Sequence, residues 1–212
     1  MDATPLPMFP LGSVLLPSMV LPLHVFEERY RHLVADVLAA DAPEFGVVLI
    51  ARGSEVGGGD VRTSAGCRAR IVDAQESPDG RWALTCVGTT RLRVLRWLDD
   101  DPYPRAIVSD WPDAATTSPS DLLDRCDAVE ASVRRVAALG SELGAPALSG
   151  DLPFSDDASE RSFQFGVLSP LGALDRQAVL EADGVDARLE LLLRLLEEQR
   201  QMVLGRLAMG DD

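Results

Sequence analysis

A chain of 212 residues, 46% hydrophobic and 25% charged, holds enough apolar material for one large core or two small ones. Its 20 Lys+Arg are all arginine, which excludes chemistry that needs a lysine amine in this chain: a Walker A loop, a Ser-Lys hydrolase, a Schiff-base enzyme. The net charge of −14, split as −5 over residues 1–115 and −9 over residues 116–212, opposes non-specific binding to a polyphosphate backbone.

No stretch approaches the roughly 20 apolar residues of a membrane span. The apolar start carries Asp2, no Lys or Arg before Arg29, and prolines at 5, 7, 10, 17 and 22, unlike a secretory signal, so the expected compartment is the cytoplasm. Residues 21–30, Leu-Pro-Leu-His-Val-Phe-Glu-Glu-Arg-Tyr, join an extended segment to a helix. Pro22 keeps Leu21 out of the helical region, while Phe26, Tyr30, Leu33, Val34, Val37 and Leu38 recur at helical spacing. Glu27 and Glu28 fall in the first turn, where the helix dipole favours negative charge.

Residues 44–51 are a short β-branched run that predicts a buried strand, followed by a loop from Gly53 to Asp60. Residues 66–76 and 81–88 flank Ser77-Pro-Asp-Gly80, a tight-turn sequence, and predict a hairpin. Thr90 to Leu98 alternates, with Leu92 and Val94 on one face and Arg91 and Arg93 on the other, and Arg105 to Trp111 makes a last strand. Short strands at this density, broken by one helix, predict a small mixed or closed β-barrel.

The character changes at the Pro/Ser/Thr/Ala linker of residues 112–120, where Ser118 and Pro119 set up a helix start. Leu122, Cys126, Val129, Val133 and Val136 form a helical stripe that Gly140 is expected to stop. After a loop over 140–153 come a helix from about Asp157 to Leu168, another from about Asp175, and a long final helix from Asp186. Its expected seam is Leu189, Leu193, Leu196, Val203 and Leu207, with Glu190 and Arg194 as a flanking ion pair. This half predicts a helical bundle.

The candidate chemistry is sparse. His24, Glu28 and His32 at i, i+4 and i+8 resemble a metal-ligating face, but Pro22 sets His24 outside the regular helix, and no metal is expected. Gly57-Gly58-Gly59 lacks the lysine and following helix of a phosphate cradle. With two histidines and no Gly-x-Ser-x-Gly elbow there is no catalytic triad to assemble. The carboxylates of 99–101, 156–157 and 197–198 read as solvated turn and helix positions. Cys67, Cys86 and Cys126 form no Cys-x-x-Cys pair and read as small core residues. Arg68, Arg70, Arg91 and Arg93 define a basic strand face, the basis for an alternative RNA-binding function. A second alternative is a structural oligomer built on the seam of the last helix. No enzyme, catalytic residue, cofactor or membrane association is expected.

Several segments together resemble the Lon protease N-terminal, substrate-binding domain. They are Leu6-Pro-Met-Phe-Pro-Leu11, Pro17, the Leu21 to Tyr30 element with Leu33, Phe45-Gly-Val-Val48, Gly66 with Ala69 and Ile71, Asp79-Gly-Arg81, Gly88 with Arg91-Leu-Arg-Val94, and Pro102-Tyr103 with Arg105-Ala106. In the helical half Asp175 to Ala182 and Arg188-Leu189 continue the likeness. The resemblance implies an α+β protein, with a PUA-like β-barrel carrying one inserted helix over residues 1–115 and an α-helical bundle over 116–212. It further implies a stand-alone, non-catalytic polypeptide-binding or adaptor module of bacterial type. Its partners would be unfolded or partly unfolded polypeptides and a protease. Binding would use barrel and bundle surfaces, an apolar groove between the two halves and exposed strand edges. Phe26, Glu27, Arg29 and Tyr30 match the family element and are expected to hold the barrel together; the substrate-binding residues are unknown.

Overall fold

Apolar alternation and the early prolines put most of the first half into strands: β1 (Leu6–Leu11), β2 (Val20–Val25), β3 (Glu44–Arg52), β4 (Val61–Glu76), β5 (Trp82–Trp97) and β6 (Arg105–Asp110), with helix α1 (Glu28–Leu38) after β2. These come from a computed structural model that describes residues 5–53, 61–117 and 119–210. The run Gly57–Gly59 and the capping residue Ser118 lie outside the described residues. The chain divides into two compact units, Met1–Pro112 and Asp113–Asp212.

The six-stranded sheet has the order β2-β5-β4-β3-β1-β6, and β6 pairs with β5 as well as β1. The ladder through β5, β4, β3, β1 and β6 therefore returns on itself, and among the described residues β2 has a single strand neighbour, β5. Parallel pairing of β1 with β3 requires a crossover, which contains β2 and α1. Tyr30, Leu33, Val34 and Val37 bury one face of α1 in a core with Phe9, Phe45 and Leu84. The Phe9 and Tyr30 rings stack with centroids 4.1 Å apart.

Two differences from the expected strands share one cause. The segments 81–88 and 90–98 are one strand, β5, and β4 begins at Val61 instead of residue 66, because antiparallel pairing carries both strands on: β5 pairs with β4, β2 and β6, and the start of β4 pairs with β3 at Arg52 and Ile50. Gly88 sits inside β5 for a steric reason: a Cβ there would run into the Leu16 carbonyl. The hairpin turn is as expected, with Gly80 at φ +76° and its N–H bonded to the Ser77 carbonyl. Phe26, placed on the α1 stripe from sequence, precedes the helix and is 58% exposed.

The second unit contains a 3-10 turn (Pro119–Asp121) and helices α2 (Leu122–Glu142), α3 (Ala158–Leu168), α4 (Ala173–Glu181) and α5 (Val185–Met209). Cys126, Val129, Val133 and Val136 line the buried face of α2, which packs on α5 and α3. Gly140 does not stop α2. The helix runs on to Glu142 and is followed by Gly144 at φ +84°, the position that needs a residue without a side chain. The buried seam of α5 is Val185, Arg188, Leu189, Leu192, Leu195 and Leu196, while Leu193, Val203 and Leu207 are only half-buried. Arg194 pairs forward with Glu198 at 3.2 Å instead of back with Glu190.

One buried charge organises this unit. The fully buried Arg188 donates from Nε to Ser162 Oγ at 2.7 Å and from both terminal nitrogens to Asp113, at 3.1 and 2.5 Å. Its guanidinium lies 3.6 Å from the Phe163 ring centroid. The planar fork matches a carboxylate in two places, so residue 113 is clamped onto α3 and α5. Among the described residues no helix is long and apolar enough to cross a membrane.

Candidate functional site

The motifs singled out from sequence do not converge. His24 is on β2 opposite Ala83, and α1 begins only at Glu28, so His24, Glu28 and His32 share no helix face. Among the described residues no group of three His, Cys, Asp or Glu side chains is placed to hold a metal ion. All three cysteines are buried and unpaired, and burial pushes the Cys67 and Cys86 thiols up to about 12, which holds them as neutral thiols.

The strand arginines are largely consumed by their neighbours. Arg68 pairs with Asp110 and Arg70 with Glu44, both at 2.9 Å. Arg91, only 3% exposed, and Arg93 both lie against the Trp111 ring, at 4.6 and 3.6 Å from its centroid. Arg62 stacks on Trp97 and pairs with Asp100. Ion pairing offsets the charge of Arg62, Arg68 and Arg70, and Arg91 is buried, which reduces the positive charge these strands present.

The joint between β2 and α1 holds an arrangement suited to capturing a ligand. Along β2 the side chains of Leu21, Leu23 and Val25 point into the core and those of Val20, Pro22 and His24 point out, in strict alternation. The Met19 carbonyl accepts from the Gly88 N–H at 2.9 Å, so position 19 faces β5. By the two-residue period of a strand, 21, 23 and 25 face β5 as well, and the backbone polar groups of 20, 22 and 24 point away from the sheet. Pro22 fits this phase, since its missing N–H falls where β5 does not need it. Among the described residues, no backbone hydrogen bond meets that outer edge.

Beside this edge lies a hollow of about 210 Å³ lined by Phe9, Leu11, Leu23, Phe26 and Tyr30 among others. A second hollow of about 180 Å³ is lined by His24, Phe26, Arg81 and Trp82. Phe26 borders both. Of the four residues expected to hold this region together, three do so: Tyr30 stacks on Phe9, Arg29 lies 4.5 Å from the Tyr30 ring centroid, and Glu27 accepts from Arg29 Nε at 3.1 Å. Phe26 does not, being exposed. The sequence signal for this was the helix boundary: a residue before the first turn is free of the helix's buried stripe.

By fold the chain is an α+β protein with a six-stranded sheet followed by helices. Comparison with known proteins gives the particular family. The family model of the ATP-dependent protease La (Lon) substrate-binding domain matches residues 5–198, so the chain belongs to that family. It is 30% identical to Lon protease 2 of Myxococcus xanthus over 93% of this chain and 24% of the relative. It is also 30% identical to the Lon protease of Roseiflexus castenholzii, over 96% of this chain and 25% of the relative. The chain thus spans about a quarter of the length of these curated relatives. Among solved structures, the Lon N-terminal domain protein from Xanthomonas campestris is 32% identical with a TM-score of 0.64, covering 90% of this chain and 98% of that one. The N-terminal domain of Mycobacterium avium complex Lon protease has the same fold, with a TM-score of 0.68 at 17% identity over 92% of this chain and 98% of that one. The matched family is the substrate-binding part of the protease, and no catalytic domain is matched in this chain.

Proposed function

We propose that this protein is a non-catalytic polypeptide-binding module, acting as an adaptor in the cytoplasm, that captures apolar segments of unfolded or partly unfolded proteins and works beside a protease. Its first unit is read as a PUA-like β-barrel, supported by the ladder that returns through β6 to β5, and its second, taken from residue 116, as a helical bundle. The observation that carries the function is Phe26, 58% exposed and bordering two hollows, in a chain of the substrate-binding family. An apolar side chain entering such a hollow sheds water against Phe9, Leu11 and Tyr30, which favours broad, modest affinity.

Fluorescence anisotropy against a labelled, permanently unfolded polypeptide and a labelled single-stranded RNA, each at two salt concentrations, tests this. Saturable, weakly salt-dependent polypeptide binding is expected, and Phe26→Ala should weaken it by roughly tenfold while leaving the fold intact, as the loss of one buried aromatic contact predicts. Salt-sensitive RNA binding with no polypeptide binding would overturn the function.

A further inference from the structure

We infer that the bound polypeptide is held as an added β-strand on the outer edge of β2, and that Pro22 reserves this edge for foreign segments over a second copy of the chain. The inference rests on the polypeptide-binding function proposed above and adds its mode and the class of segment accepted. The outer edge offers the N–H groups of Val20 and His24 but the carbonyls of Val20, Pro22 and His24. It therefore has one acceptor more than it has donors.

Antiparallel pairing of β2 with its own copy about Pro22 would set Val20 against His24 and Pro22 against Pro22. The central pair then forms neither of its hydrogen bonds, and two rings meet where strands should be close. A foreign strand with an ordinary residue at that point supplies the missing donor to the Pro22 carbonyl and loses only one bond. Prolines blunt exposed strand edges against self-association for this reason. The hollow beside Phe26 would receive one large apolar side chain of the segment, and Val20 and His24 on the outer face flank its neighbours. The chain's net charge of −14, with the exposed Glu28 just beyond the strand, disfavours acidic segments. The accepted class is therefore extended, apolar and neutral to basic.

The test uses the unmodified protein and a synthetic peptide of about ten residues, alternating valine and threonine with one phenylalanine and a terminal arginine. Amide hydrogen exchange followed by NMR should slow by about tenfold or more at Val20 and His24 when the peptide saturates, while exposed amides elsewhere are unchanged. Peptides N-methylated at successive positions should lose affinity alternately, by about tenfold when the blocked amide faces β2 and little when it faces away. Pro22→Val should raise self-association in sedimentation measurements. If the peptide or an unfolded protein binds without protecting Val20 and His24, or the N-methyl series shows no alternation, strand addition is wrong and polypeptide binding stands. If neither binds at all, both fall.

Discussion

Arg188 shows what a single residue decides here. Its guanidinium is fully buried, shared between Asp113, Ser162 and the face of Phe163, and burial lowers its pKa, while the Asp113 carboxylate acts the other way. Removing one partner leaves the other charged and out of water, so Arg188→Met and Asp113→Ala are each expected to cost about 3–5 kcal/mol, read from urea unfolding. Asp186 is the acid-sensitive counterpart. It accepts from the Thr117 N–H at 2.6 Å and from Arg125 at 2.6 Å, and the Thr117 bond above all holds its carboxyl down at about 2, against an ordinary value of 3.8. The unfolded chain binds the proton more readily, so this contribution to stability is complete above about pH 4 and is lost as pH falls through about 2. Asp186→Asn should therefore destabilise the protein at pH 6 and converge on the parent near pH 2, measured as the difference in urea midpoint.

Among the elements, α2 and β5 show how tertiary context overrides local signals. Gly140 reads as a stop because glycine is a poor helix former, yet the cost of about 1 kcal/mol is small beside the buried face of Cys126, Val129, Val133 and Val136 that anchors the preceding turns of α2. An added methyl at Gly140 would meet nothing nearer than Ala145 Cβ at 3.6 Å. Gly140→Ala is thus expected to stabilise the protein by about 0.5–1 kcal/mol, seen as a higher thermal midpoint. Gly88→Ala should do the opposite, by about 1–3 kcal/mol, because its methyl would meet the Leu16 carbonyl. The two glycines look alike in sequence. One is a tolerated weakness and the other a required gap, and only the neighbouring chain distinguishes them.

For the molecule as a whole, charge and apolar exposure are arranged in opposite senses. Arg62, Arg68, Arg70, Arg91 and Arg93 on the sheet are stacked on tryptophans or paired with acids, while Phe26 and Val20, each 58% exposed, stand open beside the unpaired edge. Raising salt from about 50 to about 200 mM should therefore change polypeptide affinity by no more than about threefold, whereas contact with several phosphates would cost orders of magnitude. A titration at both salts measures this.

The sequence by itself determined the change of class near residue 112, the strand-to-helix joint at residues 21–30, the hairpin at Ser77–Gly80 and the arginine-only composition that removes lysine chemistry. Those features are local: they depend on dihedral preferences, period and residue identity, which a chain carries wherever it lies. Only the tertiary structure decided that β6 pairs with both β1 and β5, that β2 is left with an open edge, that Phe26 faces outward beside it, and that Arg188 clamps Asp113 from 75 residues away. Each of these is a relation between segments distant in sequence. It is set by which backbone groups and apolar faces find partners, so no local window contains it.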